Sequence, residues 1–473
     1  MIFKRILVVF ALACLYSNSA QASSAVMITV DTKTIGAMIN PNFDGLSYEM
    51  ALVTPANNGA HFFTPTNRVL VKFFETLGIR SLRVGGNTSE KAAVKLPDKS
   101  DVDSLFAFAK AADVKVIYTL RLSGRDTNYA AETAKYIMDY YRPELACFAI
   151  GNEPEKMETN YAAYHDDCLK FATAITVATG VSNGLFCGPG AMQKEVNWAN
   201  DFAGDFAGDQ RIAWVTQHEY PAFSGRVVTN TMNGCLKLLS TNLVAVYERF
   251  YESFASRALS NDLHYKLEEA NSFSNGGAAG ASDAFASALW GLDYLYWWAS
   301  HGADGINLHT GGYAKGAHPT KPMNYAVFWN SANGYLAHPL AYGIKAFDLG
   351  CHGHLVPVSI NPNTNHINLK AYSVLGSNHC LYITVINQES ACARGAEVTF
   401  ATGVSCNHAE CVCLKSPDGD IRATSGTTLG GAAISVDGNW NGTWSSVGGL
   451  VQNGGFSMEI PAATAAVLRL TLD

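Results

Sequence analysis

Between Asn42 and Leu349 the chain repeats one pattern eight times: a short apolar run, then a longer stretch with apolar residues at helical spacing. The runs "NFDGLSYEM", "IRSLRVGGN", "VKVIYTLRL", "LACFAIGNE", "GLFCGPGAM", "IAWVTQHEY", "HYKLEEAN" and "DGINLHTGG" read as strands. Most are nearly continuous in apolar residues, as expected of parallel strands covered on both faces. Helical stretches separate them. In "NRVLVKFFETLG", Val69, Leu70, Phe73, Phe74 and Leu77 fall on one helical face, and Gly78 stops the helix. Further helices are expected around 102–113, 127–141, 161–179, 195–206 and 282–301, as one long helix from Gly234 to Leu259, and near 338–349. Eight such units in this length imply a (β/α)₈ barrel over 41–349. A doubly wound open sheet is the alternative. The lack of a Gly-rich phosphate loop after the first strand weighs against it.

Past Gly350 the texture changes to short alternating strands such as "HINLKAYSV", "HCLYITVINQ" and "AAVLRLTLD", separated by Gly, Asn and Ser. This reads as a β-sandwich over 350–473. The strand-like "AVMITVDT", within 23–40, is expected to join it. The sandwich is expected to pack on the barrel rather than serve as a separate binding module. Residues 1–22 have the form of a secretory signal: Lys4 and Arg5, an apolar run from Ile6 to Tyr16, and an Ala20-Gln21-Ala22 end. Cleavage after Ala22 would give a secreted or periplasmic protein. A lipoprotein anchored through Cys14 is the less favoured alternative. The apolar run is shorter than the roughly 20 residues a span requires, and no later segment qualifies. Without Lys4 and Arg5 the chain carries 31 basic and 40 acidic residues. That balance argues against nucleic acid as a partner.

Eleven cysteines are present. In an exported chain Cys351, Cys380, Cys392, Cys406, Cys411 and Cys413 are expected in disulfides, ahead of a zinc site in "CNHAECVC" with His408. Cys147 and Cys187 lie in apolar strands and are expected as buried thiols.

Barrel chemistry belongs at the C-terminal ends of strands. Glu153 falls there in "AIGNEPE", and Glu268 and Glu269 fall there in "KLEEANS". Strict alternation along a strand would turn only one of the adjacent pair inward. Two carboxylates on opposing strands suit a retaining glycosidase, in which one protonates the leaving oxygen and the other attacks the anomeric carbon. An isolated Glu in a loop ion pair would be the plainer reading of Glu153 taken alone.

"LRVGGNTSE", "FAIGNEPE", "EANSFSNGG" and "LHTGGY", in that order, resemble glycoside hydrolase family 79, the β-glucuronidase and heparanase-like family of the retaining (β/α)₈ clan. The similarity spans nearly the whole chain. It implies Glu153 as acid/base, Glu269 as nucleophile and Glu268 as an outward-facing neighbour. It also implies Tyr220 as a hydrogen-bond partner of the nucleophile with His218 nearby, Asn152 on the sugar 2-hydroxyl, and Glu49 on hydroxyls at the non-reducing end. Asn87, Thr88 and Tyr313 are weaker candidates, and packing is an equal reading for His218. The family grips a uronate with a tyrosine and glycine amides. Here Ser274 stands at the tyrosine position, with Gly276 and Gly277 kept as an anion nest. The resemblance implies a β-glucuronidase or hexuronidase acting on an oligosaccharide, polysaccharide or glycoside. A neutral-sugar enzyme of the clan (a β-xylosidase or α-L-arabinofuranosidase) and a non-catalytic carbohydrate-binding protein are the alternatives. No cofactor or metal is implied. No linker for excision interrupts strands two and three, so a single chain is expected. Glu269 is expected to raise the pKa of Glu153 while itself staying ionised through Tyr220.

Overall fold

The computed structural model describes residues 24–313, 321–331, 334–361, 367–390, 395–448 and 455–473. The segment read as a signal peptide, Cys14 and Cys392 lie outside them. After an N-terminal strand β1 (Ser24–Val30), eight parallel strands close in chain order into a barrel. They are β2 (Asp44–Glu49), β3 (Ser81–Gly85), β4 (Lys115–Leu120), β5 (Leu145–Ile150), β6 (Phe186–Ala191), β7 (Ile212–Glu219), β8 (Tyr265–Ala270) and β9 (Ile306–His309). The (β/α)₈ reading therefore holds over the open-sheet alternative.

The surrounding helices end where local chemistry ends them. Helix α1 (Arg68–Leu77) starts with the Asn67 side chain accepting from Leu70 N at 3.3 Å and stops at Gly78, whose φ of 73° suits glycine. Helix α2 (Lys99–Ala112) opens with a capping box between Asp98 and Asp101. Helices α3 (Thr127–Tyr141), α4 (Tyr161–Thr179) and α5 (Val196–Asp205) follow. The long helix expected from Gly234 to Leu259 is broken. It forms α6 (Thr231–Leu238), α7 (Thr241–Phe250), a π turn at Tyr251–Ala255 and α8 (Ser256–Ser260). Ser240 causes the break, because its hydroxyl accepts from Asn242 N at 3.2 Å and caps a new helix.

Helices α9 (Phe285–Ser300) and α10 (Pro339–Gly350) lie between barrel and sandwich. Residues 285–299 are all buried, because α9 has a neighbour on each side. Trp298 meets Tyr265 of the barrel at 6.1 Å, and Tyr296 stacks on Tyr372 of the sandwich at 4.9 Å. A short hairpin, Phe328–Ser331 with Gly334–Ala337, precedes α10 and was not expected.

The sandwich has two sheets. In the first, β1 lies between Val358–Asn361 and Ala396–Ala401, and Phe456–Ile460 completes the edge. The second is built on Leu369–Leu375, Cys380–Asn387, Thr464–Leu472 and Cys406–Lys415. Ile28, Val398, Phe400, Leu381, Ile383 and Leu468 fill the space between them. The disulfide expectation fails for the described cysteines, all of which are free thiols. Cys411 and Cys413 sit two apart on one strand, where Cβ atoms share a face instead of meeting across strands. No zinc cluster forms there among the described residues; His408 faces Glu410 instead, at 3.4 Å. Cys147 and Cys187 are buried thiols inside the barrel, as expected.

Candidate active site

A cleft of about 930 Å³ opens at the C-terminal ends of the barrel strands. A smaller hollow of about 370 Å³, around Met38, Phe43 and Cys351, lies at the opposite end of the barrel and carries no acid pair.

Glu153 reaches the cleft through a sharp exit from β5. Gly151 and Glu153 both have positive φ (85° and 49°), and Pro154 opens a short turn over Pro154–Lys156. A left-handed glutamate is uncommon, and such backbone is typically held by its surroundings at functional sites. Here Glu153 N donates to Gly190 O at 3.0 Å. Glu155 turns away and accepts from Met192 N at 3.0 Å, tying down the loop after β6. Asn152 N donates to Glu90 Oε1 at 3.1 Å.

Glu269 faces Glu153. An oxygen of each and a ring nitrogen of His218 all lie within 4.8 Å of one another. Carboxylates this close fall on the side of the roughly 5–5.5 Å spacing of retaining glycosidases rather than the roughly 6.5–9.5 Å of inverting ones. Tyr220 donates to Glu269 Oε1 at 2.8 Å, and Arg83 Nη1 donates to Oε2 at 2.6 Å. Arg83 Nη2 donates to Asn152 Oδ1 at 2.6 Å, so one buried guanidinium joins β3, β5 and β8. His309 Nδ1 lies 3.7 Å from Glu269 Oε2, and its Nε2 lies 3.9 Å from Glu49 Oε1. His218 Nδ1 meets Glu153 Oε1 at 3.3 Å, and Lys156 pairs with Glu153 Oε2.

These contacts set the charges. Burial opposes ionisation of Glu269. The charges of His309, His218 and Arg83 and the Tyr220 hydroxyl overcome it, holding the carboxyl well below the usual range. Burial and the charge of Glu269 also act to raise Glu153, as expected, yet its net shift is downward. The His218 hydrogen bond and charge, helped by Lys156, outweigh them. The expectation of a raised Glu153 is therefore corrected. The pKa of His218 is raised, against its own burial, by Glu269 and Glu153.

The other expected residues divide. Glu49, Asn87, Ser274, Gly276 and Tyr313 line the cleft with the acid pair, His218 and Tyr220. Glu49 is buried and anchored by Thr88, whose N and Oγ1 donate to its Oε2 at 2.7 and 2.6 Å. Thr88 is itself fully buried and acts through Glu49. Asn87 accepts from Lys156 Nζ at 2.6 Å. Tyr313 donates to Gly276 O at 3.2 Å; a Cβ on Gly276 would lie 2.3 Å from the Tyr313 ring. Asn275, Gly276 and Gly277 all have positive φ. The expectation that Glu268 faces outward is wrong. It is fully buried, 2.9 Å from Thr216 Oγ1 and 4.0 Å from Arg83 Nε, inside the barrel with Glu269 above it. The strand register slips between Thr216 and His218 and between Leu267 and Ala270, so strict alternation breaks down at the cleft end of these strands.

Arg83, Lys156 and His309 were missed from sequence. A lone Arg between Leu82 and Val84 in a buried strand was the available signal, since an unpaired buried charge is costly.

No protein-family model matches the chain, and no curated protein matches it in sequence. Solved structures do match in fold. A 4-O-α-L-rhamnosyl-β-D-glucuronidase from Fusarium oxysporum 12S, in complex with Rha-GlcA, superposes with a TM-score of 0.72 at 16% identity, covering 93% of this chain and 99% of its own. The GH51 arabinofuranosidase of Xanthomonas axonopodis pv. citri gives 0.69 at 12% identity, over 94% and 99%. A Paenibacillus polymyxa xyloglucanase of GH family 44 gives 0.62 at 11%, over 95% and 100%. At these identities the likeness establishes the fold: this chain has the TIM-barrel architecture, with additional β-sheets, found in these glycoside hydrolases.

Proposed function

We propose that the protein is an exported retaining glycoside hydrolase, most specifically a β-glucuronidase or related hexuronidase acting on uronic-acid-containing glycans or glycosides. The observation that carries the hydrolysis is the pair Glu153 and Glu269, within 4.8 Å across the barrel mouth. Glu269, ionised and aimed by Tyr220 and Arg83, attacks the anomeric carbon. Glu153 gives a proton to the leaving oxygen, then takes one from the water that hydrolyses the glycosyl-enzyme. Asn152 offers its amide to the 2-hydroxyl while Arg83 holds its Oδ1, and Glu49 and Asn87 serve the outer hydroxyls. This double displacement uses two carboxylates and water.

Cleft charge supports an acidic sugar. Lys91, Lys156, Lys194, Arg226 and Arg249 line the cleft and are exposed, whereas Glu49, Glu153 and Glu269, its lining acids, are buried. Such a field favours anionic substrates although the chain as a whole is acidic. Arg226 sits in the turn Gly225–Val227, held by Gly225 N on Ser274 O at 3.1 Å. Tyr313 stands against Gly276 in the same cleft and could take the part of the tyrosine missing at 274. A neutral-sugar specificity is the second reading, favoured by Ser274 and by the fold likeness to arabinofuranosidases.

The test is release of 4-nitrophenol from β-glucuronide, β-glucoside, β-galactoside, β-xyloside and α-L-arabinofuranoside. Turnover of the glucuronide, abolished in Glu269→Gln and slowed about 10²–10⁴-fold in Glu153→Gln, is expected. Turnover of a neutral glycoside alone would move the specificity to the second reading. Full activity in either variant would overturn the mechanism.

A further inference from the structure

The strand register slips beside Glu268 and Glu269 and both lie inside the barrel, so a third carboxylate sits beneath the catalytic pair, one residue before the nucleophile. Its surroundings are shaped to it. Oε1 accepts from Thr216 Oγ1 at 2.9 Å, and Oε2 lies 3.8 Å from the Cys187 thiol. Gly190 leaves room for it: a Cβ there would sit 2.2 Å from Oε1, on a backbone with φ of 63°. Two catalytic neighbours turn otherwise unsatisfied nitrogens toward it. His218 Nε2 lies 3.9 Å from Oε1, and Arg83 Nε lies 4.0 Å from Oε2; both atoms are buried without a hydrogen-bond partner.

We propose that Glu268 is a positioning residue for proton transfer: it stabilises a protonated His218 from below, so that His218 Nδ1 stores the proton that Glu153 draws on, and it seats Arg83 against the nucleophile. The proposal rests on the glycosidase reading of the site. In the resting enzyme His218 is protonated and Glu153 ionised. Before glycosidic cleavage the proton passes from Nδ1 to Glu153 Oε1 across 3.3 Å. When the bond to the anomeric carbon breaks, that proton goes to the leaving oxygen as Glu269 bonds to the carbon. In the second half the attacking water gives its proton to Glu153, and it returns to His218.

The charged and titratable groups around the pair come from every neighbouring strand. Glu268 faces Arg83 and Cys187, with the Tyr164 phenol further off. His218 faces Glu153, Glu269 and Glu268, with Arg83 and Glu155 at longer range. Carboxylates thus surround the imidazole on both nitrogens, and removing the one at Nε2 weakens its hold on the proton.

The experiment follows His218 directly, by ¹⁵N NMR of histidine-labelled protein, with its resonances assigned by their loss in His218→Asn. In Glu268→Gln, which keeps the size of the side chain, the His218 titration should move down by at least about half a pH unit. The alkaline limb of kcat/KM should move down with it. The variant should also lose more activity on phenyl β-glucuronide than on 2,4-dinitrophenyl β-glucuronide, whose leaving group departs without a proton. Thr216→Val, which only frees Glu268 from its hydroxyl, should shift the titration the same way by less, and serves if Glu268→Gln does not fold. An unchanged His218 titration in folded variants would overturn the proposal. If the parent hydrolyses no aryl glycoside but the titration shifts, the glycosidase reading fails and the Glu268–His218 coupling stands.

Discussion

Replacing Tyr220 by Phe removes one hydroxyl from a partly buried site and little else. The ring keeps its place beside Tyr325, at 6.0 Å, and Glu269 keeps Arg83 at 2.6 Å. What is lost is a hydrogen bond of 2.8 Å to a carboxylate that is 4% exposed. A bond to a charged acceptor contributes about 1.5–3 kcal/mol. At about 1.36 kcal/mol per unit, that raises the Glu269 pKa by about 1–2 units. The direction is fixed. The folded pKa is depressed, so ionised Glu269 is present above it and lost as pH falls through it. Weakening the depression moves the acid limb of kcat/KM to higher pH. The same linkage predicts acid unfolding at higher pH, because a depressed carboxyl contributes stability above its unfolded pKa that disappears on acidification. The assay is a pH–rate profile of parent and Tyr220→Phe on whichever aryl glycoside the parent hydrolyses. An acid limb unmoved within about 0.3 unit, against the expected 1–2, would refute the assignment of that limb to Glu269, whatever happens to the rate at the optimum.

Arg226→Ala should raise KM for an aryl glucuronide about tenfold, the scale of one charge-assisted contact, and by clearly less for a glucoside. Equal effects on both would remove Arg226 from uronate recognition. Glu219 is buried against α9 with Tyr294 donating to it, and burial pushes its carboxyl up to about 8. A raised folded pKa means its stability contribution is full below the unfolded value near 4.5 and falls away as pH rises through 8. Glu219→Gln should therefore raise Tm at pH 9 more than at pH 5, and an equal shift at both would refute the buried acid. Asp98→Ala removes the capping box of α2 and should cost about 1 kcal/mol in urea unfolding without altering kcat/KM.

The sequence carried the barrel because each element records its own burial. A strand covered on both faces is apolar throughout, a helix on the wall shows one apolar stripe, and α9, covered on every side, is apolar all round. Glu153 and Glu269 were legible for the same local reason, since polar groups cannot follow such strands unless the strands end at a solvent-facing mouth. Closure of the barrel decided what local pattern could not. It brought Arg83 from β3 onto Asn152 and Glu269, residues 69 and 186 positions away in the chain. It set His309 between Glu49 and Glu269, and it put His218 against Glu153. The split of the expected long helix at Ser240 was written locally but lay hidden within a continuous helical pattern. Glu268 marks the boundary most clearly. Strict alternation, the rule that sequence supplies, allows only one of the adjacent pair inside; a register slip between neighbouring strands, which exists only once they are paired, accompanies the burial of both within the barrel.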